Sequence, residues 1–183
     1  TVNSFNEIQE YIEKKHYQII FKSILPKDTM TIPVYKLGIT ECVNLLIQKK
    51  YDVTVYDNLL YEESFRKECK FIFGDIRDAN FYKSKLNNFD CIIWLAALVG
   101  DGACSINPDL TDEINFQTLK KLIKIYKKRI IFISTCSVYG AQNGLLSEKS
   151  NVNPLNPYAK SKLKIENYII KKFNKLAVKY IIL

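Results

Sequence analysis

Histidine occurs once, at His16, and the five cysteines, Cys42, Cys69, Cys91, Cys104 and Cys136, include no CxxC pair. That spacing argues against a zinc site or a Cys–His nucleophile, so no metal site is expected. Cys69 and Cys91 fall in apolar runs, where a thiol behaves as a small hydrophobe. No run approaches the roughly 18 apolar residues that a membrane span needs. The N-terminus is polar and acidic rather than basic and then apolar, so it is not expected to act as a secretory signal. There is no internal repeat and no low-complexity linker. A cytoplasmic protein with no membrane partner is the expectation.

What is present is ordinary globular material: 48% hydrophobic and 25% charged residues, in a chain of 183 that suits one domain. The formal charge of +8 raises nucleic acid as a partner. The lysines, however, alternate with core residues on helical faces, as in Leu119-Lys120-Lys121-Leu122-Ile123-Lys124. A solvated lysine face explains them, and no nucleic-acid partner is expected. A basic surface can still draw in an anionic small molecule such as a sugar nucleotide.

Apolar runs alternate with helical patterns. Strands are expected at Tyr17–Lys22, Asp52–Tyr56, Cys69–Phe73, Cys91–Leu95, Ile130–Ser134 and Val178–Leu183, all short and rich in Ile, Val, Phe and Tyr. Ile39, Cys42, Val43 and Leu46 keep helical spacing. Longer helices are expected from Pro108 to about Lys128 and from Pro157 to about Asn174, each opened by its proline. Ser4 and Glu7 can form a capping box for a helix ending near Lys15. This alternation, with short connections, implies an α/β doubly wound, Rossmann-like parallel sheet with helices on both faces.

The chemistry gathers at two places. The run Ile131-Phe132-Ile133 ends in Ser134-Thr135-Cys136-Ser137-Val138-Tyr139-Gly140, which puts hydroxyls at the carboxyl edge of the sheet, where ligands of such folds sit. Further on, Asn156-Pro157-Tyr158-Ala159-Lys160-Ser161-Lys162 opens a helix with Tyr158 and Lys162 four residues apart on one face. A tyrosine beside an ammonium suits proton transfer to or from a sugar or alcohol hydroxyl. The lysine is expected to lower the phenol from its ordinary value near 10. Thr135 is placed to hold the substrate oxygen in line.

The segment from Val53 to Leu183 resembles the cofactor-binding part of the extended short-chain dehydrogenase/reductase family, the nucleotide-sugar epimerases and dehydratases. The pieces carrying the resemblance are Val55-Tyr56-Asp57-Asn58, Gly74-Asp75-Ile76-Arg77-Asp78, Trp94-Leu95-Ala96-Ala97, Asn115, and the two motifs just described. The resemblance implies Tyr158 as catalytic acid/base, Lys162 as its partner and Thr135 as the hydroxyl completing a triad. It implies NAD as cofactor. Asp57, with Asn58 beside it, would receive the adenosine ribose, Asp75 and Ile76 would contact adenine, and Leu95, Ala96 and Ala97 would line the cofactor's middle. Lys162 would also reach the nicotinamide ribose. The implied reaction removes a hydride from a sugar carbon and later returns it, through a transient keto-sugar. The loop Val99–Cys104 and the pair Val138-Tyr139 would face the sugar. The expected partner is a nucleotide-sugar substrate, with a homodimer as a candidate assembly.

Two departures are visible. The segment Thr31–Thr40 carries only Gly38, 19 positions before Asp57, where the family's phosphate loop has several glycines, and Pro33 would interrupt a central strand. Side chains in that loop would collide with a pyrophosphate. The alternative reading, an inactive relative serving as a binding or assembly partner, starts there. The expected division is an N-terminal helix–strand extension over 1–30, faintly similar to nucleotide-sugar 6-dehydrogenases, and an NAD-binding domain over 31–183. The family's substrate domain is expected to be largely missing from the chain.

Overall fold

The computed structural model describes residues 42–59, 68–176 and 180–182. Gly38, Pro33 and the helix and strand expected before residue 30 lie outside them.

Residues 42–48 form helix α1, and strand β1 follows at Thr54–Asp57. Strand β2 is Lys70–Phe73, and α2 is Ala79–Lys83, capped by Asp78 Oδ1 on the Phe81 N–H at 3.1 Å. After β3 at Cys91–Trp94 comes the short helix α3, Asp101–Ile106. Pro108–Asp112, Glu113–Gln117 and Thr118–Ile125 then run on as one helix, α4, whose middle section is a π turn. Strand β4 is Arg129–Phe132, α5 is Pro157–Leu176 and β5 is Tyr180–Ile182.

All the pairings are parallel. β1 pairs with β2 in a two-stranded sheet, and β3, β4 and β5 pair in that order in a three-stranded one. The side chains alternate between two cores, as the two-residue period of a strand requires. Cys91, Ile93 and Ile131 pack on one face with Val53 and Val55 of the first strand segment and with Val43 and Leu46 of α1. Ile92, Trp94, Ile130 and Phe132 pack on the other face against Leu119 and Ile123 of α4 and Ile165, Ile169 and Phe173 of α5. Helices therefore cover both faces of the sheet, and the doubly wound expectation holds.

Three boundaries differ from the sequence reading. β4 ends at Phe132 instead of Ser134, because the Ile133 carbonyl leaves the ladder to accept a hydrogen bond from Lys162 Nζ at 2.8 Å. Part of the stretch 99–104 is helix rather than loop, with Gly100 at φ +95° turning the chain into α3. The α4 helix stops at Ile125, where Tyr126 goes extended and its side chain takes the Phe89 carbonyl at 3.0 Å. Among the described residues no helix is long and apolar enough to cross a membrane.

Candidate active site

The carboxyl ends of β1, β3 and β4 and the amino end of α5 supply the site. Asn156 caps α5, its Oδ1 accepting from the Ala159 N–H at 2.7 Å, and Pro157 takes the first helical position, where its missing N–H costs nothing. This start fixes Tyr158 and Lys162 on the face toward β4. Thr135 begins a tight turn over Cys136–Tyr139, with its Oγ1 accepting from the Ser137 N–H at 3.2 Å. Thr135 also acts on the Tyr158 phenol, and Lys162 Nζ lies 5.8 Å from the same ring's centroid, so the expected three residues do come together.

The electrostatics differ from the sequence reading. Tyr158 is pushed up to about 12, not down, chiefly because burial disfavours the phenolate; the nearby Thr135 opposes this only in part. Lys162 is buried, at 3% exposure, and burial brings its ammonium down to about 8, with Glu166 acting in the opposite direction. Its Nζ lies 4.7 Å from the Phe132 ring centroid and 5.8 Å from that of Tyr158. At rest, then, the pair is a neutral phenol beside an ammonium turned toward a backbone carbonyl. The phenol is a donor as it stands, and accepts a proton back only after it has given one up.

A second group supports the pair. Asn115, in the π turn of α4, is 2% exposed and reaches both ways. Its Oδ1 accepts from the Leu98 N–H at 2.6 Å, and its Nδ2 donates to the Leu98 carbonyl at 2.9 Å and to Ser161 Oγ at 3.0 Å. Ser161 in turn donates to the Tyr158 carbonyl at 2.7 Å. One amide thereby ties the segment after β3 to the first turn of α5. Asn115 stood in the sequence motif without a role, and Ser161, Ser134 and Glu166 had none. The four-residue step from Lys162 to Glu166 was the available signal for the last of these.

The expected cofactor-side residues are distributed as follows. Asp57 closes β1, and its Oδ1 accepts from the Leu59 N–H at 2.7 Å. Asp75 is engaged by Arg77, through Nε at 3.0 Å and Nη2 at 2.9 Å, and Asn58 Nδ2 lies 3.5 Å from Asp75 Oδ2. Ile76 is in the core at 2% exposure, so at that position the backbone rather than the side chain faces outward chemistry. Ala96 and Ala97 are buried and Leu95 half-buried directly after β3. Of the residues expected to face a sugar, Val138 and Cys104 are instead buried, Val138 at 4% and Cys104 with its thiol on the Leu98 carbonyl. Tyr139, Gly100 and Asp101 remain accessible. Acceptors at the end of β1 suit a diol, and hydroxyls and an ammonium at the end of β4 suit a hydroxyl-bearing substrate, so the donor set fits a dinucleotide laid along this edge. Among the described residues no three His, Cys, Asp or Glu side chains gather to hold a metal ion.

Comparison with known proteins places this geometry. A putative UDP-glucose 4-epimerase of Methanocaldococcus jannaschii is 32% identical over 151 residues, covering 77% of this chain and 49% of that protein. The solved UDP-glucose 4-epimerase of Brucella ovis in complex with NAD shares the fold with a TM-score of 0.76 at 22% identity, over 90% of this chain and 50% of that one. A UDP-N-acetylglucosamine 4-epimerase of Methanobrevibacter ruminantium, in complex with UDP-N-acetylmuramic acid, does so with a TM-score of 0.73 at 24% identity, over 92% and 54%. The chain spans about half or less of the length of the curated relatives it matches. The sequence model of one family matches residues 40–183, and on that match the chain belongs to the NAD dependent epimerase/dehydratase family.

Proposed function

We propose that the chain is the NAD-binding, acid/base-bearing part of a nucleotide-sugar epimerase or dehydratase. One observation carries the reading: Thr135, Tyr158 and Lys162 lie together at the carboxyl edge of a parallel sheet, where a sugar hydroxyl can be protonated or deprotonated. The names of the relatives, UDP-glucose and UDP-arabinose epimerases among them, favour a UDP-sugar as substrate, and the charge of +8 favours an anionic ligand.

The chemistry that NAD would supply here is reversible hydride exchange with a sugar carbon. The rest is the chain's own work. Tyr158 takes the proton of the sugar hydroxyl as the carbon is oxidised and returns it when the keto-sugar is reduced. Thr135 orients the oxygen. Lys162 offsets the charge of the phenolate that must form for Tyr158 to act as a base, which its burial otherwise opposes. Asp57 would hold the adenosine ribose by accepting from its hydroxyls, and its carboxylate would favour NAD over a 2′-phosphorylated cofactor.

The lone Gly38 in the expected phosphate loop favours a second reading, an inactive relative that kept the fold as a binding partner. Fluorescence titration with NADH at physiological salt separates the two. Saturable binding below millimolar concentration is expected, and its absence would sink the enzyme reading.

A further inference from the structure

Along α5 the chain sets Tyr158, Lys162 and Glu166 at successive four-residue steps, so the three share one face of the helix. The first two form the proton-transfer pair. Glu166 is half-buried, and its carboxylate accepts a hydrogen bond from Ser134 Oγ, the residue directly before Thr135. The residue before that, Ile133, gives its carbonyl to Lys162 at 2.8 Å. The extended chain leaving β4 therefore holds α5 at two adjacent points, Lys162 through a carbonyl and Glu166 through a hydroxyl.

An ammonium buried this deeply tends to lose its proton, although the Ile133 carbonyl and the Phe132 face at 4.7 Å both favour the charged form. Glu166, one helical turn further along the same face and not in direct ion-pair contact, is the charge that opposes the loss. The dependence is mutual, since Lys162 and Ser134 both favour the ionised Glu166 against its own burial. Other titratable groups nearby come from each packed element. Tyr158 is on the same helix; Cys104 of α3 and Cys136 of the turn after β4 act on Tyr158; Tyr139 of that turn feels Glu166 and Glu148. Tyr139 is raised by burial and stays neutral near pH 7, as does Cys104, while α4 presents the neutral Asn115. Among the described residues Glu166 is the one carboxylate acting on Lys162.

We propose that Glu166 is a positioning residue: pinned by Ser134, its carboxylate is the counter-charge that keeps Lys162 an ammonium and so able to favour the Tyr158 phenolate. The catalytic consequence rests on the enzyme reading above; the charge coupling does not.

The test uses the full chain with Glu166→Gln, Glu166→Asp and Lys162→Met, and begins with melting temperature against pH. The folded lysine titrates below its unfolded value, so the native state sheds its proton first and stability rises with pH from about 8 to about 10.5. Glu166→Gln moves the start of that rise toward acid by about one pH unit, and Glu166→Asp restores it. In the Lys162→Met background the Gln change moves nothing. Ser134→Ala, which frees the carboxylate without removing it, moves the same point in the same direction and keeps the test open if Glu166→Gln does not fold. In turnover, the alkaline limb of kcat/KM shifts alike, giving roughly a fivefold loss at pH 8 and almost none at pH 6. A loss equal at every pH, or a shift that survives Lys162→Met, overturns the proposal. If the wild type neither binds NADH nor turns over, the enzyme reading fails while the melting profiles still decide Glu166.

Discussion

Replacing Asn115 with leucine tests whether the amide between β3 and α5 holds the site together. The change keeps the approximate volume and removes every polar contact. The Leu98 N–H, in a residue only 8% exposed, would lose its partner at 2.6 Å, and the Leu98 carbonyl, losing its bond at 2.9 Å, would keep only the weak Cys104 thiol at 3.4 Å. Each stranded buried group costs about 1–3 kcal/mol, and the leucine gives back part of this by burying more apolar surface. Ser161 keeps its bond to the Tyr158 carbonyl, so it adds little. The net loss expected is about 3 kcal/mol. With a urea slope of about 2 kcal/mol per molar, the unfolding midpoint falls by about 1.5 M. Trp94, the single tryptophan, stands at the end of β3 close to the affected segment, and its emission follows the transition. A midpoint shift under about 0.3 M would refute the reasoning, because it would mean that water or a rearranged Leu98 satisfies those groups.

Two glycines offer a matched pair. Gly140 has φ +68°, and a Cβ there would meet the Asn153 carbonyl oxygen at 2.1 Å, so Gly140→Ala should cost at least about 2 kcal/mol by chemical denaturation. Gly100 has φ +95° but nothing within 4 Å of a Cβ, so Gly100→Ala should lose only the backbone strain, about 1 kcal/mol. Tyr158→Phe should abolish turnover and leave the NADH dissociation constant nearly unchanged; equal loss of both would mean that its role is structural.

The strands were legible because each is a short apolar run buried on both faces, and β1 through β5 all fall within the expected segments or one residue beyond. The helix starts at Pro108 and Pro157 were legible too, because proline at the first position and Asn107 or Asn156 before it are local signals. What was not legible depends on contacts distant in sequence. The end of β4 is decided by Lys162, some thirty residues on, taking the Ile133 carbonyl. The direction of the Tyr158 shift was misread for the same reason: sequence reveals the lysine four residues away but not the burial that outweighs it. Cys104 and Val138 sit in stretches that look like open loop and turn, yet both point into the core. The family was readable because motif order carries it, and the same motifs bring Thr135, Tyr158 and Lys162 near one another.

The π turn of α4 has a consequence for what change the protein can tolerate. In a regular helix successive residues are 100° apart, so three in a row cannot all face one core. Here Ile114, Asn115 and Phe116 are all buried, and the Thr118 hydroxyl closes on the Glu113 carbonyl at 2.8 Å. The wide turn amounts to one surplus residue, and what it secures is counted in chain length rather than in side-chain identity. Point substitutions within 113–117 alter contacts one at a time. Deleting a single residue there would remove the surplus, restore ordinary winding and leave the rest of the helix in phase, so that Leu119, Leu122 and Ile123 would keep their places. The same deletion among residues 108–112 would swing everything after it by about 100° and take those three side chains off their packing. For this helix the cost of a deletion depends on where it falls.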